Sequence, residues 1–154
     1  MRKALRFAGL GLLLVLVAVQ FVSTPRNTGP TEGPASLAAR EKLPGDVHTM
    51  LQRACYDCHS DNTKYPWYAA VQPVAWWMNQ HVADGKAEVN FSDFARYDTK
   101  RTVRKLRAVA DEVRDRDMPL KSYLLMHGEA KLTDAEAARL AQWAEDLADE
   151  VESR

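Results

Sequence analysis

An all-α fold behind an apolar N-terminal helix is predicted for this chain by three observations. Apolar residues recur at helical spacing at Val103, Leu106, Ala110 and Val113, and again at Leu140, Trp143, Leu147 and Val151. Thr133-Asp134-Ala135-Glu136 forms a capping box that opens the second of these stripes. No convincing run of alternating apolar and polar residues marks a strand; an antiparallel pair around residues 88–91 would be a minor addition.

Taken in order, residues 1–22 read as a membrane-directing segment. Arg2, Lys3 and Arg6 give a basic start, and residues 7–22 are apolar except for Gln20 and two glycines. As a helix that run rises about 24 Å, short of a hydrocarbon core of about 30 Å, although Ala4 and Leu5 extend it while Arg6 snorkels. No A-x-A-like pair of small residues closes it, so the expectation is an uncleaved signal anchor over 1–24, with secretion after cleavage as the alternative. No cysteine stands near its end to carry a lipid. The basic end stays in the cytoplasm, which puts the rest on the periplasmic face of an inner membrane. Residues 25–42 are rich in Pro, Gly, Thr, Ser and Ala and are expected to form a flexible linker. Residues 43–154 then make one domain of ordinary size, with four tryptophans to fill its interior.

Within the domain, Asp46 is expected to cap a helix from about Val47 that carries Val47, Met50, Leu51 and Ala54 on one face. Asp61-Asn62-Thr63 breaks the chain, and Tyr65-Pro66-Trp67-Tyr68 follows as a stiff aromatic corner. Pro73 suits the first turn of a helix that runs to about Asp84, is ended by Gly85, and carries Trp76, Trp77, Met78 and His81. Val89 to Ser92 looks extended, with Ser92 capping a short turn. The next helix covers about residues 100–116, where Asp117-Met118-Pro119 interrupts it and Pro119 keeps Met118 on a loop. A short helix over 122–127, closed by Gly128, precedes the capping box.

The charge balance is even, 21 basic residues against 21 acidic, and removing Arg2, Lys3 and Arg6 leaves 18 against 21. Basic and acidic residues alternate in the second half of the 102–116 helix, which reads as a solvated face. Nucleic-acid binding has no electrostatic support. No small-molecule substrate is identified.

The chemistry concentrates in Cys55-Tyr56-Asp57-Cys58-His59, which holds both cysteines of the chain. C-x-x-C-H is the spacing at which two thiols join haem vinyl groups while the next residue ligates iron. One covalently bound haem c is the cofactor this motif calls for, with Cys55 and Cys58 as its thioether residues and His59 as the proximal iron ligand. The rival readings are a redox-active dithiol, which is expected beside a βαβ pattern absent here, and half of a zinc site. Zinc would draw two more ligands from His48, His81 and His127. Met118 is the candidate distal ligand, with Met78 and Met126 as competing thioethers and His81 as the alternative. Tyr65 and Trp67 of the aromatic corner, with Trp76 and Tyr123, are expected to wall the pocket. His48 and His127 are expected at the surface or in caps.

The domain resembles the bacterial haem-binding domain family often labelled Haem_bd. The likeness rests on Cys55 to Ser60, on Thr63 with Tyr65-Pro66-Trp67-Tyr68, on Pro73 with Trp76, and on Gly85 before Asn90-Phe91-Ser92. It extends to Met118-Pro119 with Tyr123, His127 and Leu132, and so covers nearly all of the domain in order. It implies a cytochrome-c-like haem fold with Cys55 and Cys58 bound covalently, His59 proximal and Met118 distal. Lys121 and Gly128 stand where family members often carry proline, and Phe94 where tryptophan is common; no proposed ligand is lost.

Six-coordinate iron with His59 and Met118 leaves no open position for substrate. The expected function is therefore that of a membrane-anchored periplasmic c-type cytochrome, an electron carrier rather than a catalyst, whose partners are the membrane and other redox proteins. The alternative is a haem peroxidase or ligand sensor with a displaceable distal ligand. A third reading is an accessory module in which haem mainly stabilises a docking domain.

Overall fold

The computed structural model describes residues 2–154, and every regular element among them is helical, with one isolated bridge between Thr28 and Asn62. Met1, the first residue of the expected anchor, lies outside the described residues.

Helix α1 spans Arg2–Val19 and buries no residue. It stops before the apolar run does. The amides of Gln20, Phe21 and Val22 donate to the carbonyls three residues back, tightening and ending the helix. The Gln20 side chain turns to Gln72, where its Oε1 accepts from the backbone amide at 2.9 Å and its Nε2 donates to the carbonyl at 3.2 Å. The apolar part left in the helix, residues 7–19, rises about 20 Å, well below the hydrocarbon thickness of about 30 Å, and three cations occupy the first turns. Among the described residues, no helix is long and apolar enough to cross a membrane. The anchor expected over 1–24 is therefore corrected, and with it the periplasmic placement behind an inner-membrane anchor.

Residues 25–42, expected as a flexible linker, are instead packed on the domain. Asn27 donates from Nδ2 to the Ser60 carbonyl (2.8 Å) and to Thr63 Oγ1 (3.0 Å), and its Oδ1 accepts from Lys86 at 2.9 Å. Ser36 caps α2 (Leu37–Arg40) by accepting from the Ala39 amide. Leu37 is fully buried in the core, and Glu41, 6% exposed, pairs with Arg154 at 2.9 Å. A segment poor in apolar residues is held here by polar side chains and one leucine.

Helix α3 (Gly45–Ala54) buries Val47, Met50, Leu51 and Ala54, the face read from its spacing. Pro44 is its N-cap. Asp46 caps nothing and pairs with Arg139 at 2.8 Å across the fold. Helix α4 (Tyr56–His59) follows at once and contains most of the C-x-x-C-H motif. A 3-10 turn over Trp67–Ala70 leads to α5 (Val74–Glu88), which continues past Gly85 rather than ending there. In the 3-10 segment Phe91–Arg96 the cap is Asn90, which accepts from the Ser92 amide. Ser92 instead donates to the Thr31 carbonyl and accepts from the Asp61 amide.

Helix α6 (Thr99–Arg114) is capped by Asp98, and α8 (Asp134–Ser153) by the complete Thr133/Glu136 capping box. Between them lie α7 (Lys121–Leu124) and a 3-10 turn at Gly128–Ala130. The two amphipathic stripes meet: Val103, Leu106, Ala110 and Val113 of α6 and Leu140, Trp143, Leu147 and Val151 of α8 are buried in one core. Ala137, Ala141, Ala144 and Ala148 are buried on α8 as well, small side chains that let the helices approach. Of the four tryptophans only Trp143 is interior. Trp67, on a short turn, is 81% exposed, Trp76 41% and Trp77 50%; Trp77 borders a small cavity and packs on His81 with ring centroids 4.2 Å apart.

Candidate functional site

Helix α4 is held on three sides. Its own turn is closed by the amides of Cys58 and His59, which donate to the Cys55 carbonyl at 3.2 and 2.9 Å. Thr63 Oγ1 donates to the Asp57 carbonyl at 2.6 Å, so the chain after the motif is tied back to it. On the third side α5 comes so close that a Cβ added to Gly85 would stand 2.8 Å from the Cys58 carbonyl oxygen and 3.2 Å from the Cys58 Cβ. Gly85 is thus the contact point that lets α5 lie against the motif.

The space enclosed is a mostly apolar cavity of about 280 Å³, near the low end of the range for ligand pockets, about 300–1,000 Å³. Cys55, at the junction of α3 and α4, lines it with Cys58 and His59 of α4, and His81, Asp84, Gly85 and Glu88 line it from α5. Lys105, Val109, Glu112 and Val113 come from α6, and Met118, Leu120 and Tyr123 from the segment that follows. Lys105 meets Glu88 at 3.3 Å.

The donor chemistry is definite at His59. Its Nδ1 lies 3.1 Å from the Val89 carbonyl oxygen, and because a carbonyl only accepts, Nδ1 carries the proton and Nε2 the lone pair. Burial lowers the pKa of the imidazole, against the opposing pull of that hydrogen bond, so the ring is held neutral. The Val89 contact orients the ring as an outer-sphere partner orients a metal-ligating histidine. Neither cysteine is in a disulfide. Burial, with the neighbouring Cys58, pushes the Cys55 thiol up to about 12; burial, with Asp57, pushes Cys58 up to about 11.

These are not the electropositive surroundings of an activated dithiol. The zinc alternative also loses its footing, since among the described residues no three His, Cys, Asp or Glu side chains cluster to hold a metal ion. His48 is turned to Glu32 at 2.5 Å, and His127 stacks on Tyr123 with ring centroids 4.1 Å apart.

Of the residues singled out in the sequence, Cys55, Cys58, His59, Met118, His81 and Tyr123 line this one cavity. His81 also borders a smaller adjoining cavity of about 90 Å³ with Met78, Met126 and His127. Its Nδ1 donates to the Trp77 carbonyl at 2.9 Å. Tyr65, Trp67 and Trp76 are not part of either wall. Tyr65 accepts from the Asn27 amide through its hydroxyl, and the two tryptophans point to solvent, so their expected pocket role is corrected. Asp57, Glu88 and the α6 residues were missed. Asp57 alone carried a signal, as an acidic residue between two cysteines.

A rigid apolar cofactor with metal at its centre suits this donor set: two thiols, one neutral imidazole with a free Nε2, and a thioether around an apolar space. The family model of the haem-binding domain matches residues 14–146. The chain belongs to the haem-binding domain family. The matched stretch includes the packed residues 25–42, so this haem-binding domain begins well before the C-x-x-C-H motif. No curated protein and no solved structure matches it.

Proposed function

We propose that this haem-binding domain is a c-type electron carrier with a cytochrome-c-like arrangement. Cys55 and Cys58 hold one haem as thioethers, His59 ligates iron through Nε2, and Met118 is the distal ligand. The observation that carries the reading is that both thiols, the neutral His59 and Met118 border a single apolar cavity.

Cys55 and Cys58 would hold the group through thioether bonds, the net addition of each S–H across one vinyl group, for which no oxidant would be needed. The iron, when bound, supplies a one-electron couple. The chain's own work is to orient and exclude. Val89 fixes the His59 tautomer, Val109 and Val113 present apolar surface that lowers the local dielectric, and thioether ligation raises the potential relative to a second imidazole. Redox proteins are the partners this function requires.

The test uses the full chain matured in a host able to attach haem. Haem that resists acidified acetone, with a mass increase lost in Cys55→Ser/Cys58→Ser, is the expected result. An oxidised-state absorption band near the red edge that vanishes in Met118→Ala would identify the distal ligand; its persistence would refute Met118.

One observation favours a second reading, a peroxidase or ligand sensor with a displaceable distal ligand. His81 borders the same cavity, its Nδ1 committed to the Trp77 carbonyl, and offers through Nε2 either a second imidazole ligand or an acid/base group. Rapid binding of carbon monoxide or cyanide at neutral pH would decide for it, and slow or negligible binding would count against it.

A further inference from the structure

Met118 sits on a loop, and a loop thioether ligates iron only as well as the loop is held. Its N-terminal side is secured where the amides of Asp117 and Met118 both donate to the Glu112 carbonyl, at 3.0 and 3.1 Å. Its C-terminal side has a different fastening. Tyr123, five residues on, donates its hydroxyl to Asp57 Oδ2 at 2.8 Å, while Asp57 Oδ1 accepts from the Lys64 amide at 3.1 Å. Among the described residues this is the one hydrogen bond between the motif helix and the segment 118–127.

We propose that Asp57, the residue before the second cysteine, and Tyr123 form a clamp that fastens the Met118 loop to the helix bearing Cys58 and His59. They act as positioning residues that keep the distal thioether from being displaced. The inference rests on the Met118 ligation proposed above.

Three features support a positioning role. Asp57 uses both carboxylate oxygens in this arrangement, one on the loop after the motif and one on Tyr123, so a single side chain registers two segments against α4. A hydroxyl donating to a carboxylate is among the stronger neutral-to-charged hydrogen bonds. Tyr123 is in turn stiffened by its stack on His127, nearly parallel at 9°, and by the His127 Nδ1 that donates to its carbonyl at 3.1 Å. Tyr123→Phe keeps that stack and removes only the hydroxyl, and Asp57→Asn keeps the shape and one acceptor.

The experiment titrates the oxidised, haem-loaded full chain with imidazole and follows the methionine-dependent band, in wild type, Tyr123→Phe, Asp57→Asn, Asp57→Ala and the Tyr123→Phe/Asp57→Ala double variant. The expected result is that Tyr123→Phe binds imidazole about tenfold more tightly than wild type, the worth of a hydrogen bond to a charged group. Asp57→Ala should match it, Asp57→Asn should shift less in the same direction, and the double variant should add nothing further. A role in folding alone would lower the unfolding midpoint and leave the imidazole affinity in place. Affinity within twofold of wild type in Tyr123→Phe, or effects that multiply in the double variant, would overturn the clamp while leaving Met118 as ligand. Absence of the band from wild type would overturn the ligation and the clamp together. Should Tyr123→Phe fail to fold, the two Asp57 variants carry the same comparison.

Discussion

Replacing Gly85 with alanine sets two known effects against each other. In the interior of a helix, alanine is favoured over glycine by about 0.8–1.0 kcal/mol, and Gly85 lies inside α5, not at its end. The added Cβ, however, would stand 2.8 Å from the Cys58 carbonyl oxygen and 3.3 Å from its carbonyl carbon. Those atoms are backbone, in a helix closed by hydrogen bonds to Cys55, and cannot swing aside as a flexible side chain would. Forcing an extra methyl group into a packed contact costs about 1–3 kcal/mol, so after the gain in propensity is subtracted the net expectation is a loss of roughly 0–2 kcal/mol, centred near 1. Gly45, the first residue of α3, supplies the control: a Cβ there meets nothing within 4 Å, and Gly45→Ala should be neutral or stabilise by up to about 1 kcal/mol. Urea unfolding followed by far-UV circular dichroism reads both. Because the strain falls on Cys58, mass spectrometry should also find a smaller fraction of Gly85→Ala chains with both thioethers. A Gly85→Ala protein more stable than wild type by the whole propensity gain of about 1 kcal/mol would refute the close approach of α5 to the motif.

Leu37→Ala should destabilise by about 2–5 kcal/mol, as for a fully buried leucine, measurable as a lower urea midpoint; a change within about 0.5 kcal/mol would mean that residues 25–42 do not pack as described. A chain begun at residue 43 should be less stable than one begun at residue 25 by a comparable margin. For the acid limb, the capping-box hydrogen bonds from the Thr133 amide and hydroxyl, with help from Arg53, hold the Glu136 carboxyl below its ordinary value of 4.5. A group depressed in the folded state stabilises above its unfolded pKa and loses that contribution as pH falls through the folded value. Thermal unfolding of Glu136→Gln should accordingly fall less steeply than wild type below about pH 4.5; parallel curves would exclude a role for this carboxylate.

Legibility followed the physical specificity of each signal. The α6 and α8 stripes and the Thr133 capping box were readable because a 3.6-residue period and a reciprocal cap each have one structural meaning. Gly85 has two. Glycine serves as a helix stop and as a point of close backbone approach, and only the position of α4 shows that the second applies. Asp46 had a comparable ambiguity, since an acidic residue before an apolar stripe suits a cap or a first-turn ion pair, and Arg139 settled it from 93 positions away. The flexible reading of 25–42 failed because composition measures apolar content, whereas this segment is held by Asn27, Ser36 and Glu41 through partners remote in sequence.

The same distinction governs the site. Motif residues that must act together over five positions were visible from spacing, and the cavity collects them with Met118 and His81. Tyr65, Trp67 and Trp76 were assigned to the wall on side-chain type alone, and type does not say which face of a helix or turn meets solvent. The residues that complete the wall, Lys105, Val109, Glu112 and Val113, belong to a helix whose sequence reports only that one stripe is apolar. That stripe is wide enough to do two jobs. Leu106 and Ala110 bury against α8, while Val109, one position round, is half-buried between core and cavity. The helix that stabilises the fold is therefore also the wall opposite the motif, and a substitution at Val109 should move stability and ligand environment together, whereas one at Leu106 should move stability alone.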